Sequence, residues 1–295
     1  MKYSVAQDTR IGARRINQDR IGCWSTPDCV LMTVADGLGG HLHGELAAEL
    51  AVRLLGAAFE REARPRLADP DEFLVRTIGA AHAAIVREAE RRGYSDTPRT
   101  VLVSCVVQDG YAYWRHVGDS RLYHIRQGRI LQRTRDHTVV QQLVEEGRIR
   151  EEAITSHPER NRLLQCLGGY QAPRPDAAAK VQLAKEDILL LCSDGFWGPL
   201  TQRQMMHALT THALETAIPE LVELAERRGG PQCDNISVLA MTWAEEQVAA
   251  ADADVERTEV RDLTATDLDF LRMSDEDVEK AIAELKAALR KGQVP

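Results

Sequence analysis

Residues 101–125 read VLVSCVVQDGYAYWRHVGDSRLYHI, and the punctuation of that stretch decides the fold class. Three runs rich in apolar and β-branched residues, 101–107, 111–117 and 121–125, have the length and composition of strands. They are separated only by a few residues around Asp109-Gly110 and Gly118-Asp119. Parallel strands need a crossover of about a dozen or more residues, so connections this short predict antiparallel pairing. Outward from this stretch, further strand-like runs fall at 30–35, 181–183, 188–192 and 236–241. Helical spacing falls at 46–62, 71–92, 138–146, 201–209 and 214–228. Long helices set apart from runs of antiparallel strands predict an α+β layered body rather than a Rossmann-like sheet. Neither G-x-G-x-x-G nor G-x-x-x-x-G-K occurs, so nucleotide cradling has no support.

The chain has 295 residues, 44% of them hydrophobic and 28% charged, enough to bury one large core. No repeat or Gly/Ser tract divides residues 1–244, which read as one domain. Of the formal charge of −8, nearly all lies in 245–295, where 14 acidic residues face 7 basic ones. A near-neutral body without a basic stripe argues against nucleic acid as a ligand. The longest apolar runs, such as 188–192, fall far short of the ~20 residues of a membrane span, and residues 1–12 lack the apolar centre of a signal peptide. No membrane association and a cytoplasmic location are therefore expected. The six cysteines form no C-x-x-C pair and none has an arginine six positions later, so they read as reduced packing residues rather than phosphate-binding nucleophiles.

Four aspartates share a context: Val34-Ala35-Asp36-Gly37, Val117-Gly118-Asp119-Ser120, Cys192-Ser193-Asp194-Gly195 and Cys233-Asp234-Asn235. Each lies at one end of a strand-like run, where a rigid element can hold a carboxylate at the mouth of a cleft. One such Asp-Gly by itself reads as a turn. Several converging from distant strand ends would repel one another and demand a cation. Oxygen ligands without a Cys or His set favour Mg²⁺ or Mn²⁺ over zinc.

The ordered series Arg14-x-x-Asn17-Gln18-Asp19, Val34-Ala35-Asp36-Gly37-Leu38-Gly39-Gly40-His41, Val117-Gly118-Asp119-Ser120-Arg121, Asp136-His137-Thr138, Cys192-Ser193-Asp194-Gly195 and Asp234-Asn235-Ile236-Ser237 resembles the metal-dependent serine/threonine protein phosphatases of the PPM family, in their compact bacterial form. The resemblance spans residues 3–243. It implies a four-layer αββα sandwich of two antiparallel sheets flanked by helices, with a two-metal centre at one end. In that scheme Asp36 bridges both Mn²⁺ or Mg²⁺ ions, the Gly37 carbonyl binds one, and Asp194 and Asp234 hold the other. Asp19 acts close by through water, Asp119 matches a ligand of a third, weaker ion, and Arg14 matches the arginine that grips the substrate phosphate. Residues 144–171 resemble the family's flap, a mobile insertion beside the metals.

The chemistry is self-consistent. Two divalent ions about 3.5–4 Å apart activate a bridging water and neutralise phosphoryl oxygens, so no protein nucleophile is required. The planar fork of Arg14 suits the remaining phosphate oxygens better than a lysine would, although a solvated surface charge is the plainer reading. Leu38 stands where part of the family carries a histidine. The acid that protonates the leaving alkoxide is then His41, a water at the metals, or neither, with His41 and His43 serving loop packing. The implied reaction is hydrolysis of phosphoserine and phosphothreonine in proteins, reversing a serine/threonine kinase. A pseudophosphatase that only binds partners and a phosphatase of a small phosphorylated metabolite are the alternatives.

Beyond residue 244, the stretch 245–273 reads as an acidic linker, and 274–292 as an amphipathic helix. Ser274 and Asp277 form a capping box, Arg290 and Lys291 fill the last turn and Gly292 follows as a stop. Val278, Ala281, Ile282, Leu285, Ala288 and Leu289 share a face that must pack on the body or on a partner protein. Asp252-Ala253-Asp254-Val255 superficially matches a D-x-D-x-V nucleophile, but it lies in this acidic tail rather than at the end of an early core strand.

Overall fold

The computed structural model describes residues 1–39, 43–176 and 179–244. His41, the linker 245–273 and the helix expected at 274–292 lie outside the described residues. In chain order the elements are β1 (Lys2–Arg10), β2 (Asp19–Ser25), β3 (Cys29–Gly37), α1 (Gly44–Glu62), α2 (Pro70–Arg92), β4 (Thr100–Gln108), β5 (Tyr111–Val117), β6 (Arg121–Arg126), β7 (Arg129–Arg133), α3 (Val139–Glu145), β8 (Ala179–Gln182), β9 (Ile188–Cys192), α4 (Asp194–Trp197), α5 (Gln202–Thr211), α6 (Leu214–Gly229) and β10 (Ile236–Ala244). Short 3₁₀ turns occupy Glu151–Ser156 and Gly230–Gln232.

The strands form two five-stranded sheets, ordered β1-β10-β9-β6-β7 and β2-β3-β4-β5-β8, with every pairing antiparallel. The period of two along each central strand builds the layers. On β3, Leu31 and Ala35 face α1 and α2, whereas Val30, Met32 and Val34 face the opposite sheet. On β10, Ile236, Val238 and Ala240 face α5 and α6, whereas Leu239, Met241 and Trp243 meet the sheet that contains β3 and β4. Strands buried on both faces are apolar almost throughout, which is why 30–35, 188–192 and 236–241 were visible as runs. The result is the expected four-layer αββα sandwich. No helix of the described residues is long and apolar enough to cross a membrane, and all six cysteines are free.

One expectation needs correction. β4 and β5 form the antiparallel hairpin read from 101–117, but β5 and β6 do not pair. β6 lies in the other sheet, between β9 and β7. The short link Gly118-Asp119-Ser120 carries the chain across the sandwich instead of turning it back. Gly118 makes this possible: it adopts φ +102, and a Cβ there would lie 2.1 Å from Val101 Cγ1.

Candidate active site

At one end of the sandwich both sheets deliver carboxylates to the same place. β2 and β3 pair so that Asp19 lies opposite Asp36. Asp119 occupies the crossing from β5 to β6, Asp194 follows β9, and Asp234 precedes β10. Asp19 and Asp119 are buried, while Asp36, Asp194 and Asp234 keep partial exposure. All five are close enough to act on one another electrostatically. Burial pushes the Asp36 carboxyl well above its ordinary value, and the charges of Asp19, Asp194, Asp119 and Asp234 push it further. Burial likewise raises Asp19 to about 7, against hydrogen bonds from Ser193 and Ser237 that pull the other way. Asp194 is raised to about 6 by burial and then by Asp234. Asp119 is raised by burial and by the charges of Asp194 and Asp136.

A cluster this unfavourable as bare anions fits a hard divalent cation, because every donor is oxygen. Asp19 adds a specific observation. Its Oδ2 accepts from Ser193 Oγ at 2.8 Å, whereas its Oδ1 is buried without a hydrogen-bond partner. Backbone packing supplies the rest of the cradle. The Gly37 N–H donates to the Gln18 carbonyl at 3.2 Å, and a Cβ on Gly37 would lie 2.4 Å from the Gly44 carbonyl group, so only glycine lets α1 start this close. Thr100 Oγ1 donates to the Asp36 carbonyl at 2.7 Å.

Arg14 reaches the same end from the loop before β2, and its Nη2 donates to Asp234 Oδ2 at 2.7 Å with both side chains about half exposed. Asn235 anchors that loop. Its Nδ2 donates to the carbonyls of Ile11 and Ile16, and its Oδ1 accepts the Gln18 N–H at 2.8 Å. A cleft of about 550 Å³ opens over the carboxylates, lined by Arg14, Asp119, Asp194 and Asp234 and, from residues 144–171, by Arg160 and Asn161.

Seven of the eight expected site residues therefore meet at one end of the sandwich: Arg14, Asp19, Asp36, Gly37, Asp119, Asp194 and Asp234. The eighth, His41, lies outside the described residues. His43 is a packing residue, stacked on Tyr94 with ring centroids 4.6 Å apart. Sequence reading assigned no role to Asn235, Ser193, Trp197 or His137. The motifs 234–237, 192–195 and 136–138 contained three of these, but their contacts are tertiary.

A family model described as protein phosphatase 2C matches residues 6–229. The serine/threonine protein phosphatase PstP of Mycobacterium tuberculosis is 32% identical over 81% of this chain, which spans 44% of that relative's length. The serine/threonine phosphatase stp of Listeria innocua is 33% identical over 77% of this chain and 90% of its own. Among solved structures, the catalytic domain of PstP in complex with two manganese ions superimposes with a TM-score of 0.71 at 29% identity, over 82% of this chain and 99% of that one. Family model, relatives and fold agree, and the chain belongs to the protein phosphatase 2C family.

Proposed function

We propose that this chain is a metal-dependent protein phosphatase that hydrolyses phosphoserine and phosphothreonine in proteins, working in the cytoplasm to reverse a serine/threonine kinase. The observation that carries the reading is the convergence of five carboxylates from two sheets beside Arg14, three of which, Asp119, Asp194 and Asp234, line an open cleft. The relatives' printed names, and the two manganese ions in the PstP complex, support it.

Two Mn²⁺ or Mg²⁺ ions suit the centre, held by Asp36, the Gly37 carbonyl, Asp194 and Asp234, with Asp119 at a third, weaker position. When bound, they would supply Lewis acidity toward the phosphoryl group and an acidified water at neutral pH. The chain's own residues do the remaining work. Asp19, fixed through Oδ2 by Ser193, keeps its buried Oδ1 without a hydrogen-bond partner, which suits it to orient a water at the centre. Arg14 is placed to exchange Asp234 for two phosphate oxygens, which its fork meets in one plane. His41 is assigned to protonate the leaving alkoxide from sequence position alone. Residues 144–171 act as the flap that closes on the phosphoprotein, since Arg160 and Asn161 line the cleft. The 274–292 segment is assigned to docking, either on this chain or on a partner protein.

The test is phosphate release from phosphopeptides and from an aryl phosphate with and without Mn²⁺. Wild-type turnover should require the metal, and Asp36→Asn or Asp194→Asn should reduce it by at least about a hundredfold. Metal-independent turnover, or either variant retaining full activity, would overturn the mechanism. A wild-type preference for small phosphorylated metabolites over phosphopeptides would overturn the protein substrate.

A further inference from the structure

Asp119 is held from behind by residues with no assigned role. His137 grips the preceding Gly118 twice: its backbone N–H donates to the Gly118 carbonyl at 2.9 Å, and its Nδ1 accepts the Gly118 N–H at 3.2 Å. From the other side, Trp197 Nε1 donates to the Asp119 carbonyl at 3.0 Å. The Trp197 ring lies 3.4 Å from the Arg121 guanidinium, which forms a two-pronged pair with Asp136 at 2.8 and 2.7 Å.

The segment that grips Gly118 also carries the return of the flap. The Leu164 N–H donates to the His137 carbonyl at 2.7 Å, the Val139 N–H donates to the Arg162 carbonyl at 2.9 Å, and Thr138 bridges Leu163. Further along the chain, His137 Nε2 lies 3.2 Å from Asp176 Oδ1. One residue thus touches both the backbone that aims Asp119 and the stem of the insertion that covers the cleft.

We infer that His137 is a positioning residue: its clamp on Gly118 sets the aim of the Asp119 carboxylate and ties that aim to the position of the flap. The inference rests on the reading of Asp119 as a carboxylate of the active site. Its chemistry follows from the hydrogen bonds. Accepting the Gly118 N–H requires the lone pair on Nδ1, so the neutral ring carries its proton on Nε2, which lies near Asp176 Oδ1 without forming a hydrogen bond to it. His116 stacks on His137 with centroids 4.5 Å apart and donates from Nε2 to the Arg135 carbonyl at 2.6 Å. The ligand atoms of His116, His137 and Asp176 lie within 4.8 Å of one another, as a metal site would require. A cation on His137 Nε2 would drive the ring proton to Nδ1, directly against the Gly118 N–H. The group is therefore a hydrogen-bonded clamp and not a metal site.

Three substitutions in the full chain separate the roles of the ring. His137→Asn puts an amide oxygen where Nδ1 lies and keeps the acceptor, His137→Gln puts the amide near the Nε2 position and loses it, and His137→Leu loses both. Two readouts apply: Mn²⁺ binding followed by the paramagnetic resonance of the free ion, and kcat against KM on an aryl phosphate. His137→Leu and His137→Gln should weaken the weakest class of Mn²⁺ site and lower kcat by about tenfold each, the scale of one buried hydrogen bond, with KM unchanged. His137→Asn should restore both to within about threefold of wild type. Asp119→Asn should reproduce the defect, and combining it with His137→Leu should add nothing further.

Wild-type behaviour of His137→Gln beside an impaired Asp119→Asn would overturn the clamp and leave the role of Asp119 standing. A silent Asp119→Asn would overturn the reading of Asp119 and the clamp with it. Should His137→Leu fail to fold, the contrast between His137→Asn and His137→Gln still decides.

Discussion

Arg14 and Asp234 form the cleft's most exposed ion pair among the site residues, and their contact shows how a substrate can be received. An exposed pair of this kind contributes little to stability, about 0–1 kcal/mol, because solvent screens it. Exchanging the carboxylate for a phosphoester therefore costs little, while the guanidinium gains two charge-assisted hydrogen bonds. Arg14→Ala should raise KM for phosphopeptides by about ten- to a hundredfold, the effect of losing hydrogen bonds to a charged group. Arg14→Lys should recover only part of the loss, since a point charge cannot meet two oxygens in one plane. Steady-state kinetics on one phosphopeptide checks both, and a KM unchanged in Arg14→Ala would remove Arg14 from the phosphate site. Thermal midpoints of the two variants should stay near wild type.

At the scale of elements, the seam between α1 and β2 shows packing overruling propensity. Gly56 lies inside α1, where alanine would ordinarily gain about 1 kcal/mol. The Trp24 ring from β2 fills the space above it, however, and a Cβ on Gly56 would lie 2.1 Å from Trp24 Cζ2. Gly22 faces the same ring, with a Cβ placed 2.2 Å from Trp24 Cη2, so the indole cannot retreat that way. Overpacking costs about 1–3 kcal/mol and exceeds the propensity gain. Gly56→Ala should lower the unfolding midpoint and shift Trp24 fluorescence; a midpoint equal to or above wild type would mean that the ring moves freely.

The same balance explains what was legible in the sequence. β3, β4 and β9 are buried on both faces, so their apolar runs marked them without tertiary information. β1 and β7 are sheet edges whose alternating or exposed residues, as in Arg129–Arg133, resemble a polar loop, and both went unread, as did β2 at the edge of the other sheet. The β5–β6 link was read as a hairpin because its length is right; only the contact of Gly118 with Val101 reveals a crossing between sheets. The aspartates were legible for a related reason, as each interrupts an apolar run at a strand end. Asn235 and His137 were not, because their side chains bond the backbone of residues at least 217 and 19 positions away, respectively, and spacing carries no trace of such pairs.

For the molecule as a whole, buried acids of opposite character set the dependence of stability on pH. Burial pushes Asp187 upward, but hydrogen bonds from Arg126, the Ala184 N–H and His124 outweigh it and hold the carboxyl below its ordinary value. That contribution is present above about pH 4 and fades as acid protonates the group. The carboxylates of the centre run the other way. With Asp36 raised well above its ordinary value, Asp19 at about 7 and Asp194 at about 6, the native chain without divalent cations holds more protons than the unfolded chain between about pH 4 and 7. Stability is then lost as pH climbs through that window. A divalent cation binds the ionised carboxylates, so it competes with those protons and stabilises most where they have left. In a chelator, the unfolding midpoint should fall between pH 5 and pH 7.5. Added Mn²⁺ or Mg²⁺ should raise the midpoint more at pH 7.5 than at pH 5, and Asp36→Asn should flatten both trends. A midpoint that rises with pH in the chelator, or a metal effect equal at the two pH values, would show that the five carboxylates do not share one cation-dependent centre.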